Sequence, residues 1–127
     1  MGLDVEVTGS ALAYAEIERL VTLAVATAAV DHGHVAVAFV DPEAIAELNV
    51  THRGHDGPTD VLSFPVDGID EVPGPPELRE LGDIVICPEH TVDLREAVVH
   101  GALHLVGMDH ETDDGEMLAV QREILSW

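Results

Sequence analysis

The chain has 127 residues, 46% of them hydrophobic, a composition that fits one folded domain spanning residues 1–127 and excludes wholesale disorder. The longest largely apolar stretch, residues 20–30, is too short to cross a membrane, which takes about 20 residues. No basic segment followed by an apolar run opens the chain. We therefore expect a cytoplasmic protein without a membrane partner.

The charge of the chain is strongly one-sided. Twenty-five acidic residues face five arginines, no lysine is present, and the net charge is −20. A field of this sign repels nucleic acid and anionic membranes at long range. It fits an acidic surface that stays soluble at high salt, and a second interpretation is attraction to a basic partner. Charge alone does not identify the function.

Strand-like and helix-like patterns are mixed along the chain. Apolar residues either alternate with polar ones or recur at helical period, and Asp41-Pro42 and Asp93 mark helix starts. The predicted elements are a strand around 4–7, a helix over about 12–24 capped by Ser10, a strand at 35–39, a helix from Asp41 to about Arg53, strands at 61–64 and 82–87, a helix over about 94–106 ended by Gly107, and a last helix that opens at 112–114 with Met117, Leu118, Ile124 and Leu125 inward. Segments 54–58 and 67–76 are predicted loops. The class is α+β, a small mixed sheet packed against helices.

Three histidines form the most informative pattern. His100 and His104 lie one helical turn apart and project from one face, where their imidazole nitrogens can converge on one ion. Gly107 lets the chain leave the helix so that His110 can fold back as a third ligand. Three neutral nitrogens with an open fourth position describe a catalytic zinc site at the end of a helix. The alternative is three separate histidines, but unpaired imidazoles on this apolar helix would be costly.

The same spacing occurs in metzincin proteases, with one difference. Those enzymes carry a glutamate, their general base, directly after the first histidine, where this chain has Gly101. Without that carboxylate, peptide hydrolysis by their mechanism lacks its base. We therefore do not predict a protease.

Three motifs together resemble the YbeY family of bacterial metal-dependent endoribonucleases. Residues 100–110, HGALHLVGMDH, are similar to the family signature H-G-x-L-H-L-x-G-x-D-H. Residues 48–65 resemble the family's L-N-x-x-x-R and P-T-D-V-L-S-F-P segments, and residues 81–87 read LGDIVIC. The spacing of Met117 and Gln121 also resembles the family's terminal helix. The motifs run in the expected order from about residue 35 to the end of the chain.

The resemblance implies a metzincin-like core with zinc on His100, His104 and His110. It also implies that Arg53 is catalytic, and a guanidinium near the metal suits a scissile phosphodiester. From the residues alone, an ion pair of Arg53 with Asp56 or Glu47 is an equal alternative. The implied activity is cleavage of single-stranded RNA in ribosomal RNA processing, including maturation of the 16S 3' end and ribosome quality control. The implied partners are the ribosomal RNA precursor, the small ribosomal subunit and its assembly factors.

Other polar residues have both structural and functional interpretations. Asp60, Asp83 and Asp109 each have two possible roles. Each can be a turn or cap residue, or can orient a ligand histidine or the water bound to the metal. Ser63 is predicted either to contact phosphate or to bond backbone. The loop histidines His52 and His55, which flank Arg53, are expected to be solvated.

Two features depart from the family pattern. Only 12 residues separate Cys87 from His100, where the family has room for another helix, so a wall of the groove is expected to be missing or rebuilt. The second is the charge of −20 in a protein that the resemblance implies binds RNA. In molar salt the Debye length is only about 3 Å, so we expect a local cationic pocket of zinc and Arg53 to dominate, with the acids clustered away from it.

Two other functions remain open at this point. One is a non-catalytic ribosome-assembly protein in which zinc stabilises the fold, an interpretation that the shortened segment and the acidic surface favour. The other is a metal hydrolase of a small substrate, because an open zinc position suits ester and phosphodiester compounds as well as RNA.

Overall fold

The structure is a computed structural model that describes residues 3–9, 11–54, 57–67, 79–108 and 115–126. Within these ranges the fold is α+β, as predicted, with a four-stranded mixed sheet and four α-helices. No helix of the described part has the length and apolar character that a membrane span requires. The elements are β1 (Leu3–Thr8), α1 (Tyr14–Ala26), β2 (Gly33–Phe39), α2 (Pro42–Arg53), β3 (Val61–Pro65), β4 (Glu80–Ile86), a 3-10 turn (Pro88–His90), α3 (Leu94–Leu105) and α4 (Glu116–Leu125).

The sheet has the strand order β1-β2-β4-β3. β1, β2 and β4 are parallel, and β3 lies antiparallel to β4 at the edge. Ser63 of β3 pairs with Ile84 of β4, so both side chains point to the same side of the sheet. Phe64 and Asp83 form the next pair and point to the other side.

The two sides of the sheet are covered unequally. Helices α1, α3 and α4 pack on one side over the large apolar core, which includes Ile84 and Leu103. On the other side α2 covers a smaller cluster of four buried residues, Ile45, Leu62, Val85 and Cys87. We call these the α3 side and the α2 side. Residues 68–78, which include all of the predicted loop 67–76 except residue 67, lie outside the described part.

Aspartate caps start two of the helices as predicted. Asp41 accepts a hydrogen bond from the Ala44 backbone N–H at 2.8 Å at the start of α2. Asp93 accepts from the N–H groups of Arg95 and Glu96 at 3.0 and 3.2 Å at the start of α3. These bonds satisfy donors that the first helical turn leaves without partners. The positions of α2 and α3 are therefore encoded locally.

The observed start of α1 differs from the one predicted directly after Ser10, a residue that lies outside the described part. The helix begins only at Tyr14, and the capping position is Ala13, which provides no side-chain bond. The Tyr14 hydroxyl instead donates to the Val5 carbonyl at 2.8 Å, which attaches the first turn of α1 to β1. A tertiary contact therefore replaces the local cap.

The prediction for α4 is correct for three of its four inward residues. Met117 and Ile124 are buried and Leu125 is partly buried against the core, whereas Leu118 is exposed. Gln121 is buried instead, because residues 117, 121 and 124 share one helix face while residue 118 is turned about 100° away from 117. The predicted opening at 112–114 lies outside the described residues.

Candidate metal centre

Helix α3 brings two of the three predicted ligands together. His100 and His104 are half-buried, and their Nε2 atoms lie 3.1 Å apart. Their rings meet edge to face, with centroids 4.7 Å apart and an interplanar angle of 75°. The helix ends at Leu105, and Gly107 then adopts the positive φ of +93° predicted for the exit of the chain. The two imidazoles thus present Nε2 atoms to a common point.

The distance between these nitrogens fits a metal site. Two nitrogens bound at about 2.0–2.1 Å to tetrahedral zinc lie roughly 3.3 Å apart, close to the observed separation. Among the described residues, no three histidine, cysteine, aspartate or glutamate side chains form a group that could hold a metal ion. The third predicted ligand, His110, lies outside the described residues, as does Asp109.

Gln121 of α4 determines which nitrogen of His100 faces the metal position. The Nδ1 atom of His100 lies 2.9 Å from Oε1 of Gln121, whose side chain is buried. Because an amide oxygen only accepts hydrogen bonds, Nδ1 carries the proton and Nε2 keeps its lone pair. The motif analysis placed Gln121 in the family's terminal helix but assigned it no role. A polar residue on the apolar face of α4 was the feature that could have indicated this role.

The glycine that follows His100 has a packing role. A Cβ atom on Gly101 would lie 2.5 Å from Cγ2 of Ile84 in β4, so no side chain fits there. The Ser63 hydroxyl donates to the Gly101 carbonyl at 3.0 Å, which holds α3 against β3. Ser63 therefore bonds backbone, one of its two predicted roles. The protease's glutamate would not fit at this position.

The histidines line an open cleft of about 710 Å³, a volume within the usual range of ligand sites. β3 and the residues before it form one wall, including Asp60 and Ser63, and α3 forms another with Glu96, His100 and His104. The segment before α3 forms the third wall. The last residue of its 3-10 turn, His90, and the two residues that follow, Thr91 and Val92, line the cleft.

We expected the acidic residues to cluster away from the site, but the structure places three of them in the cleft. Asp60, Asp93 and Glu96 all line the cleft. Asp60 accepts from the N–H of Val61 at 2.8 Å and Asp93 caps α3, so both carboxylates have structural partners. Their positions follow from turn and cap chemistry, which requires acceptors close to backbone N–H groups.

Two other candidates lie on the α2 side of the sheet. Asp83 shares an apolar groove of about 360 Å³ with Leu48, His52 and Phe64. The His52 ring packs edge to face on Phe64 with ring centroids 4.9 Å apart, and the residue is exposed as predicted, although it lies in α2 rather than in a loop. A role for Asp83 in orienting a ligand histidine is therefore wrong, because strand alternation directs Asp83 away from Ile84 and the histidines. His55 lies outside the described residues.

Arg53 is the last residue of α2, and Gly54 ends that helix in a left-handed conformation at φ +71°. The structure does not describe the Arg53 side chain. Asn49 is buried and donates to the Gly57 carbonyl at 3.0 Å, which holds the chain that leads from α2 toward the cleft-lining Thr59. The end of α2 is thus connected to the cleft wall by a short segment.

Comparisons with known proteins agree with the motifs. The family model described as endoribonuclease YbeY matches residues 6–127. The endoribonuclease YbeY of Rubrobacter xylanophilus is 49% identical over 96 residues, which cover 73% of this chain and 66% of that protein. The endoribonuclease YbeY of Leifsonia xyli subsp. xyli is 36% identical over 145 residues, covering 97% and 94% of the two chains. The solution structure of TM1509 from Thermotoga maritima superposes with a TM-score of 0.56 at 29% identity, covering 96% of this chain and 87% of that one.

Proposed function

The chain belongs to the endoribonuclease YbeY family, whose members are metal-dependent RNA-cleaving hydrolases, and on this premise we propose that it is a zinc-dependent endoribonuclease specific for single-stranded RNA. The observation that carries the proposal is the pair of Nε2 atoms 3.1 Å apart at one wall of an open cleft.

We assign the zinc ligands to His100, His104 and His110, within a metzincin-like core that forms a single domain. When bound, zinc supplies a Lewis acid and makes hydroxide available near neutral pH. The chain's own residues fix this site. Gln121 holds the proton on Nδ1 of His100, and the absence of a side chain on Gly101 lets α3 pack close to β4.

Arg53 is the proposed catalytic arginine. A guanidinium can bind two phosphate oxygens at once and offset the negative charge that develops as the phosphodiester is cleaved. Its position at the end of α2, six positions before the cleft-lining Thr59, supports this role. It would be the arginine of the site, since the described residues that line the cleft include none.

The proposed setting is ribosome biogenesis in the cytoplasm. We propose the ribosomal RNA precursor as substrate, maturation of the 16S 3' end and ribosome quality control as processes, and the small subunit with its assembly factors as partners. The support for this setting is the family membership of the chain.

The test measures metal content and RNA cleavage together. Purified wild-type protein is expected to carry about one zinc per chain, and His104→Ala should lose the metal and most cleavage of single-stranded RNA. Arg53→Ala should keep the metal and lower kcat by roughly 100-fold, the size expected when one donor to a developing anion is removed. His34→Ala, a histidine on the α2 side, is the matched control. Undiminished cleavage in both His104→Ala and Arg53→Ala would refute the proposal.

A second candidate is a ribosome-assembly protein without nuclease activity. The three carboxylates that line the cleft favour it, because they oppose the approach of RNA. Co-sedimentation with ribosomal subunits, combined with no turnover of any RNA by the zinc-loaded protein, would distinguish this function from the nuclease.

A further inference from the structure

His90 is a third histidine at the cleft, on the wall formed by the segment before α3. It ends the 3-10 turn that Pro88 begins after β4, and its side chain is exposed. It lines the same cleft as His100 and His104. Neither the three-histidine motif nor the proposed mechanism uses it.

The backbone holds His90 in a defined place. Its N–H donates to the Cys87 carbonyl at 3.1 Å, and the Thr91 hydroxyl donates to the same carbonyl at 2.7 Å. Cys87 itself is fully buried and donates to the Asp60 carbonyl at 2.9 Å. The imidazole therefore projects from a turn that is anchored to the core, an arrangement that lowers the entropy cost of binding a ligand.

The His90 side chain is available to a ligand. Asp60 and Asp93, two of the three carboxylates that line the cleft, accept hydrogen bonds from backbone N–H groups. The His90 imidazole has no hydrogen bond or ion pair with another described residue. The cleft-lining part of the described chain has no lysine or arginine, and the zinc proposal uses His100 and His104. His90 is left as the donor that can meet an anion there.

We propose that His90 binds a phosphate of the RNA strand adjacent to the scissile phosphodiester, an inference that rests on the proposed nuclease function. An imidazole N–H donates to a phosphate oxygen, and RNA offers one phosphate per nucleotide along the cleft. The contact provides affinity and register in a cleft whose other walls carry Asp60 and Glu96. His90 is thus a substrate-positioning residue rather than a participant in bond cleavage.

The experiment separates binding from turnover. The zinc-loaded protein is titrated with a short fluorescent 2'-O-methyl RNA to obtain Kd, and cleavage of unmodified single-stranded RNA provides KM and kcat. His90→Ala is expected to raise Kd and KM by about three- to tenfold, the range for one lost hydrogen bond, with kcat within about twofold of wild type. His90→Gln, which keeps an N–H donor, should recover part of the affinity. His32→Ala, an exposed histidine outside the cleft lining, should change none of these values.

The outcomes distinguish this inference from the proposed function. Unchanged Kd and KM in His90→Ala, or a fall in kcat at constant KM, would overturn the phosphate contact while leaving the nuclease function in place. If the wild-type protein bound RNA in a His90-dependent way but cleaved none, the nuclease function would fail and the contact would stand. An unaltered thermal melting curve of His90→Ala verifies that the turn is intact.

Discussion

His100 on the α3 side of the sheet and His34 on the α2 side both have neighbours at their two ring nitrogens, but these neighbours differ in charge. His100 faces the neutral amide oxygen of Gln121 and the Nε2 atom of His104. His34 lies between two carboxylates, with Nδ1 at 2.7 Å from Glu80 and Nε2 at 3.1 Å from Glu6. The same residue type is therefore placed in two different chemical settings.

The difference shows how neighbours select the role of a histidine. Two carboxylate acceptors require two N–H donors, which only the protonated imidazole has, and the hydrogen bond to Glu80 raises the pKa of His34 above its usual 6.5. A cation of this kind joins β1, β2 and β4 but has no lone pair for a metal. At His100 the amide fixes one proton and leaves the other nitrogen as a ligand. The α3 side is thus suited to metal binding and the α2 side to an ion-pair cluster.

The largest expected effect is on zinc affinity and comes from removing the Gln121 amide that contacts His100. Gln121→Leu should weaken zinc binding by roughly 10- to 100-fold, because Nδ1 loses its acceptor and the ring loses its fixed tautomer. Gln121→Glu keeps an acceptor at the same place and should bind zinc far better than Gln121→Leu. Competition with a chromophoric chelator measures both affinities. Equal affinities in Gln121→Leu and wild type would show that Gln121 only fills space.

A second test compares the packing of the two sides. Gly101→Ala places a methyl group 2.5 Å from Cγ2 of Ile84 and should reduce the free energy of unfolding by about 1–3 kcal/mol. Ala38→Val on the α2 side adds more volume but extends into an open groove, so it should cost little. Urea denaturation monitored by circular dichroism measures both changes. The cost of Gly101→Ala should be smaller in an Ile84→Leu background, because leucine lacks the Cγ2 atom; an equal cost in both backgrounds would mean that the close contact is not its cause.

The smallest expected effect concerns the charge of His34. Because its pKa is raised in the folded protein, protonated His34 adds stability below pH 6.5, as long as both carboxylates stay ionised, and the gain is lost as the pH rises through the folded pKa. The pairs are partly exposed, so we expect His34→Ala to cost about 0.5–1 kcal/mol at pH 6 and close to nothing at pH 9. Urea denaturation at the two pH values measures this. An equal cost at both would mean that His34 acts through packing rather than charge.

Short-range patterns in the sequence predicted the elements that carry the site. Asp41 and Asp93 each cap the helix that follows, because their carboxylates meet N–H groups only a few residues away. The spacing of His100 and His104 placed them together for the same reason, since one helical turn fixes the distance between them. The prediction for Asp83 depended on a distant contact and is wrong, because Asp83 points to the side of the sheet away from the histidines.

By itself the sequence determined the α+β class, the helix that carries the histidine pair and the motifs of the YbeY family, because each follows from local periodicity or from a fixed spacing. Only the tertiary structure decided that α4 directs Gln121 to His100, that Ile84 closely approaches Gly101, and that the segment before α3 brings His90 to the cleft. These contacts join residues far apart in the chain. Their geometry depends on how helices pack on the sheet, which no local pattern specifies.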